Sequence, residues 1–192
     1  MKKILEKVST WSIKPMNSNQ TNHSRFYDEY QSGIRIITAQ NNNDEFHNKL
    51  YYSNVISLME KYLYDLFIYE ISSDRNALVT LGTQNKFSGT SLKIPYLLHN
   101  SVEEYIINTM KNIVWHRLND IDVFYKNVLG IQFNLSRDIL NILKIRHDIV
   151  HRNGFDIEGN LVVITDQKLE NCINLINSFI LDIDNKYQAL QN

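Results

Sequence analysis

Between residues 44 and 71 the chain sets Leu50, Tyr51, Val55, Leu58, Met59, Tyr62, Leu63, Leu66 and Phe67 on one face of an α-helix. Apolar spacings of three and four residues, sustained over about five turns, are incompatible with a strand, whose side chains repeat every second residue. A stripe that long must be covered by other elements, and the rest of the chain supplies matching ones. Ser101 to about Leu118 repeats the pattern with Ile106, Met110, Ile113, Val114 and Leu118, behind a Ser101/Glu104 capping box. A shorter helix, Ile121 to Leu129, stops at Gly130. Another runs from about Ser136 to Arg152 and ends at Asn153-Gly154. The β-branched run Phe155 to Ile164, around Glu158-Gly159-Asn160, predicts a small hairpin. Thr165 then caps a last helix carrying Leu169, Ile173, Ile176, Ile180 and Ile183. The expected fold class is all-α, an antiparallel bundle of four to five helices with a small β-hairpin after the 136–152 helix.

The two remaining stretches lack this periodicity. Residues 1–43 combine polar tracts, Asn17 to Ser24 and Asn41 to Asn43, with a short apolar piece, Ile34 to Ile37. They are expected to form a weakly structured arm, strand or strap over a bundle spanning 44–192. The spacer 72–97, with Gly82, Gly89 and Pro95, is expected to be a packed or functional excursion.

Charge and cysteine usage narrow the function classes. A formal net charge of -1 excludes nucleic-acid coating through bulk charge, so any phosphate contact must be local. Arg137, Lys144, Arg146 and Arg152, set against Asp138 and Asp148, form such a local patch. The single cysteine, Cys172, excludes an internal disulfide and lies on an apolar helix face, where a buried thiol is expected. Glu6 and Lys7 interrupt the basic start before any signal-like apolar run develops, and no run of about 18 apolar residues spans a membrane. A cytoplasmic protein without membrane contact is expected.

The segment Arg146-His-Asp-Ile-Val-His-Arg-Asn-Gly154 carries the chemistry. On a helical wheel Arg146 falls in the middle of the apolar face made by Ile139, Ile142, Leu143, Ile149 and Val150. An always-charged guanidinium there is costly unless it is paired or lines a cleft, and such conflicts mark functional sites. Arg146 and His151 lie ~140° and ~7.5 Å apart on an ideal helix, while His147 and His151 share a face. Imidazole takes and gives protons near neutral pH, and guanidinium grips phosphate. Together they meet the needs of metal-free RNA cleavage, in which one group takes the ribose 2′-proton and a cation steadies the phosphorane. The competing reading makes Arg146 a bundle anchor held by Glu60 or Asp65 on the first long helix. His147 and His151 also have the spacing of a zinc-protease helix, but no histidine follows position 151, and Asp148 is one methylene short for the base role. No metal or cofactor is expected, and no serine-hydrolase elbow or phosphate-binding loop is present.

Arg146, His147, three further positions and His151 resemble the Arg-x(4–6)-His motif of the HEPN superfamily (higher eukaryote and prokaryote nucleotide-binding domains), which favours Asn, Asp or His after the Arg. Ser53 to Phe67, with Glu60-Lys61-Tyr62-Leu63 at its centre, is similar to the first long HEPN helix. The Ile-Val-His-Arg-Asn-Gly ending is similar to that of small stand-alone bacterial members, including the RiboL-PSP group. The resemblance covers roughly 44–190. It implies a homodimer that joins two motifs in an interface cleft, metal-independent endoribonuclease activity, and a role in toxin–antitoxin, abortive-infection or antiviral defence with an antitoxin or defence-complex partner. It further implies His151 as general acid/base, Arg146 as phosphate and transition-state cation, and His147 as the residue that orients them. Arg152, Asn153 and Lys144 are candidate RNA contacts, Asn153 being equally a turn residue. Members paired with a nucleotidyltransferase often carry a modifiable Tyr two residues after the His, where this chain has Asn153, so that regulation is not expected. Some members keep the bundle without nuclease activity and bind nucleotide, nucleic acid or a partner.

Overall fold

A computed structural model describes residues 23–41 and 44–191 of the chain. Its axis is helix α2 (Glu45–Ser73), 29 residues and about 43 Å long. Tyr52, Val55, Ile56, Met59, Tyr62, Leu63, Leu66, Phe67 and Ile71 are buried, and Tyr51, Leu58, Tyr64 and Ile68 widen the arc on its flanks. Leu50, expected on the core face, is instead exposed. An apolar arc this wide needs partners on several sides. They are α1 (Arg25–Gln40), α6 (Val102–Lys111), α8 (Arg137–His151) and α9 (Asp166–Gln191), which makes an all-α helical bundle.

The arm expected over 1–43 is corrected where it is described. Arg25–Gln40 is a helix that buries Phe26, Tyr30, Ile34 and Ile37 against α2 and α9. Its start is fixed by Ser24, whose Oγ accepts from the Tyr27 N–H at 3.1 Å. The same hydroxyl donates to the buried carboxylate of Asp184 on α9. Ile34 to Ile37 is therefore helical rather than strand, and the arm expected over residues 1–22 lies outside the described residues.

The spacer 72–97 folds into three short helices, α3 (Arg75–Gly82), α4 (Asn85–Ser88) and α5 (Ile94–Leu97). Asp74 ends α2 and begins α3 by accepting from the Asn76 N–H at 2.8 Å. Helix α6 has the expected capping box, with Ser101 Oγ accepting from the Glu104 N–H and Glu104 Oε2 from the Ser101 N–H, both at 3.0 Å. It stops at Lys111 rather than Leu118, because Asn112 and Ile113 turn their N–H groups to carbonyls three residues back. That early stop lets Trp115 enter the core, while Val114, expected inside, is exposed. Helix α7 (Leu118–Phe124) widens into a π-helical turn, Tyr125–Leu129, which Gly130 ends in the left-handed region at φ 72°.

The expected hairpin shrinks to a single antiparallel bridge between Phe155 and Leu161, and no strand forms among the described residues. Asp156 accepts from the N–H groups of Glu158 and Asn160 at 2.9 and 2.8 Å, and its own N–H donates to the Asn160 carbonyl at 2.9 Å, so side-chain and backbone bonds together close the loop. The bonds to the carboxylate, the Asn160 N–H first, hold the Asp156 carboxyl below its usual range. The chain then drops Ile164 into the core and enters α9, where Thr165 Oγ1 accepts from the Lys168 N–H at 3.3 Å.

Candidate active site

Helix α8 starts at Ser136, whose hydroxyl accepts from the Ile139 N–H at 3.2 Å, and rests on α2 and α9 through buried Ile139 and Ile142. Its last turn carries the motif. Two left-handed residues, Asn153 (φ 54°) and Gly154 (φ 83°), end it, and the N–H groups of Arg152 and Gly154 both return to the Asp148 carbonyl at 3.1 Å. Asn153 is thus the turn residue of the helix cap.

Arg146 lies on the inward face, as its place on the wheel requires, with its side chain only 14% exposed. Its Nη2 is 3.7 Å from Glu60 Oε1 on α2, an ion pair too long to be a hydrogen bond. Glu60 was one of the two carboxylates foreseen for it; the other, Asp65, is taken by Lys61. The same Oε1 of Glu60 is held more closely by His116 Nδ1, at 2.9 Å, from the link between α6 and α7. Arg146 Nε and Trp115 Nε1 are both buried with no acceptor in hydrogen-bond reach. Ser57, Glu60, Lys61, Tyr64, Asp65 and Trp115 line a shallow opening of about 420 Å³ that reaches Glu60 and Trp115 of this cluster but is not lined by Arg146 or His116.

His147 and His151 project to the exposed flank of α8 and lie against each other, ring centroids 4.8 Å apart and planes at 46°. Neither hydrogen-bonds to Arg146 among the described residues. The motif is therefore split, with a guanidinium facing α2 and an imidazole pair facing outward at the end of the same helix. Arg152 is not free for a ligand in this arrangement, since its guanidinium is paired with the buried carboxylate of Asp148. Lys144 is exposed. Val150, expected on the core face, is 47% exposed, and Phe155, Ile157 and Leu161 just beyond the helix are exposed as well.

His116 and Trp115 are the residues that sequence reasoning missed. They stand 30 residues from Arg146 in a stretch read as helix interior, and only the early stop of α6 brings them to Glu60. A groove of about 570 Å³ between α8 and α9, lined by Asn141, Lys168, Asn171 and Asn174, does not include Arg146, His147 or His151. Neither does a second groove of about 590 Å³ beside Lys86, Arg117 and Phe124. The motif is the better candidate, because volume alone assigns no chemistry. Among the described residues no group of three or more His, Cys, Asp or Glu side chains converges.

Compared with protein-family models, with curated proteins and with solved structures, the chain matches none of them. Its function has to be argued from its own residues.

Proposed function

We propose that the chain is a metal-independent endoribonuclease of the HEPN type that acts as a homodimer in bacterial defence or toxin–antitoxin biology. The observation that carries the reading is the state of Arg146. It is a mostly buried guanidinium, near a carboxylate but not hydrogen-bonded to it, at the same helix end as an exposed pair of histidines. In the proposed reaction His151 takes the proton of a ribose 2′-hydroxyl, and the 2′-oxygen attacks phosphorus. Arg146 stabilises the charge on the phosphorane, and the 5′-oxygen leaves with the proton that the His151 imidazolium gives back, yielding a cyclic phosphate and a 5′-hydroxyl end. His147 orients His151 through their ring contact. The exposed Val150, Phe155, Ile157 and Leu161 support a second copy packing beside the motif, which would bring two such sets together. No helix among the described residues is long and apolar enough to cross a membrane.

One observation favours a second reading. The Arg146–Glu60 pair lies within a single subunit, as it would in a non-catalytic HEPN module that binds nucleotide, nucleic acid or a partner protein. RNA cleavage in EDTA decides between them. The nuclease cuts without metal, and His151→Ala and Arg146→Ala each lower the rate by roughly 100-fold or more. RNA left intact by the wild-type protein at high concentration, or a monomer by light scattering at micromolar concentration, removes the nuclease reading.

A further inference from the structure

Glu60 offers one carboxylate oxygen, Oε1, to two nitrogen groups, His116 Nδ1 at 2.9 Å and Arg146 Nη2 at 3.7 Å. The imidazole is within hydrogen-bond distance and the guanidinium is not. Other charged groups near Glu60 are committed elsewhere: Lys61 pairs with Asp65 on α2 and reaches Glu29 of α1 at 3.7 Å. Trp115 and Tyr64, which share the opening, are neutral. The attraction on Arg146 inside the subunit therefore depends on how strongly His116 holds that single oxygen.

We propose that His116 is a positioning residue for Arg146: by competing for one oxygen of Glu60, its proton sets how free the guanidinium is to grip a tetrahedral oxyanion. A protonated imidazole makes a charge-assisted bond to the carboxylate and neutralises it. Arg146, with its Nε already lacking an acceptor, is then released toward a phosphate. A neutral imidazole leaves the carboxylate charge to Arg146. The sign follows: oxyanion affinity at Arg146 is higher with the proton on His116 than without it, and a bound oxyanion favours that proton by the same factor. The inference deepens the nuclease reading by adding control of its phosphate-binding cation, and it rests on that reading only in taking RNA as the ligand in the cell.

Sulfate is the suitable probe, because its charge is constant between pH 5 and 8. Its binding is read by NMR at the Arg146 Nε–H, in a His147→Gln, His151→Gln background that leaves His116 as the imidazole of the cluster. Affinity is expected to be roughly three- to tenfold higher at pH 5.5 than at pH 8. Glu60→Gln removes the shared carboxylate and should bring the two affinities within about twofold, while His116→Gln should hold affinity at the pH 8 level throughout. Amide spectra verify that each variant is folded. A pH dependence that persists in Glu60→Gln makes His116 a plain second cation and overturns the proposal. So does the absence of any sulfate effect at Arg146. Gating of sulfate in a protein that cuts no RNA refutes the nuclease alone, whereas RNA cleavage without gating refutes this proposal alone.

Discussion

Asp184 is buried to 0% exposure in the middle of α9 and accepts hydrogen bonds from three groups. These are the Ser24 N–H at 3.1 Å, the Ser24 hydroxyl, and the Tyr62 hydroxyl at 3.0 Å, with His23 Nδ1 at 3.4 Å beside them. One carboxylate thus joins the start of α1, the centre of α2 and α9. Asp184→Ala strands up to three buried donors at about 1–3 kcal/mol each. Two of the three belong to Ser24 at the end of α1, beside the half-buried His23, where water can enter and recover part of that cost. Relief of the desolvation of the carboxylate offsets a further part. The expected loss is about 3–5 kcal/mol by urea unfolding, a fall in Tm of roughly 10 °C. Tyr62→Phe, which removes one bond and strands none of the other donors, should cost about 1–2 kcal/mol. Its effect should largely vanish in the Asp184→Ala background, because the two residues share a bond. Amide exchange should show α1 losing protection first. A variant within about 1 kcal/mol of wild type, or one whose α1 amides exchange unchanged, refutes the idea that this carboxylate docks α1.

The remaining tests concern alkali and the thiol. Burial raises the hydroxyls of Tyr30, Tyr52, Tyr62, Tyr125 and Tyr187 above their ordinary range and pushes the Cys172 thiol up to about 12. Groups raised in the fold add stability that is complete below their unfolded values and is lost as pH climbs toward the folded ones. Stability should therefore hold up to about pH 8.5, then fall by about 1.4 kcal/mol per pH unit for each group ionised only in the unfolded chain. Urea midpoints measured from pH 7 to 11 check it, and a midpoint that stays level past pH 10.5 contradicts it. Cys172, 1% exposed, should react with an aromatic disulfide reagent at pH 8 only at the rate of unfolding; prompt modification of the native protein would sink its assignment as a core thiol.

Features that depend on local chemistry were readable in the sequence. The Ser101/Glu104 box, the Gly130 stop, the helix start near Ser136, the Thr165 cap and the Asn153-Gly154 ending each follow from a few adjacent side chains. Features that depend on distant partners were not. Phe26, Tyr30, Ile34 and Ile37 do form a helical stripe, but the β-branched run from Ile34 to Thr38 and the polar tracts around it obscure the period. The docking point of that helix, Asp184, is 160 residues from Ser24. The early end of α6 goes with the burial of Trp115 beyond it, a tertiary contact that no local pattern announces. The site divides in the same way. Arg146, His147 and His151 stand out because about a turn and a half of helix holds them all, and Glu60 could be named because a buried guanidinium needs a carboxylate. His116 gave no such signal.

The Arg146–Glu60 pair explains little as an anchor. Ion pairs of this length between partly exposed groups contribute about 0–1 kcal/mol. Leaving Arg146 Nε buried without an acceptor costs about 1–3 kcal/mol, which cancels or exceeds that gain. A methionine or leucine at position 146 would fill the same inward face of α8 beside Ile139 and Ile142 without either term, and buried ion pairs replaced by apolar side chains commonly leave a fold as stable or more so. Stability thus gives no reason for an arginine at this position. A guanidinium whose buried Nε is unpaired, beside a carboxylate that lines an opening and at the same helix end as two exposed imidazoles, is better accounted for by a ligand with oxygens to offer.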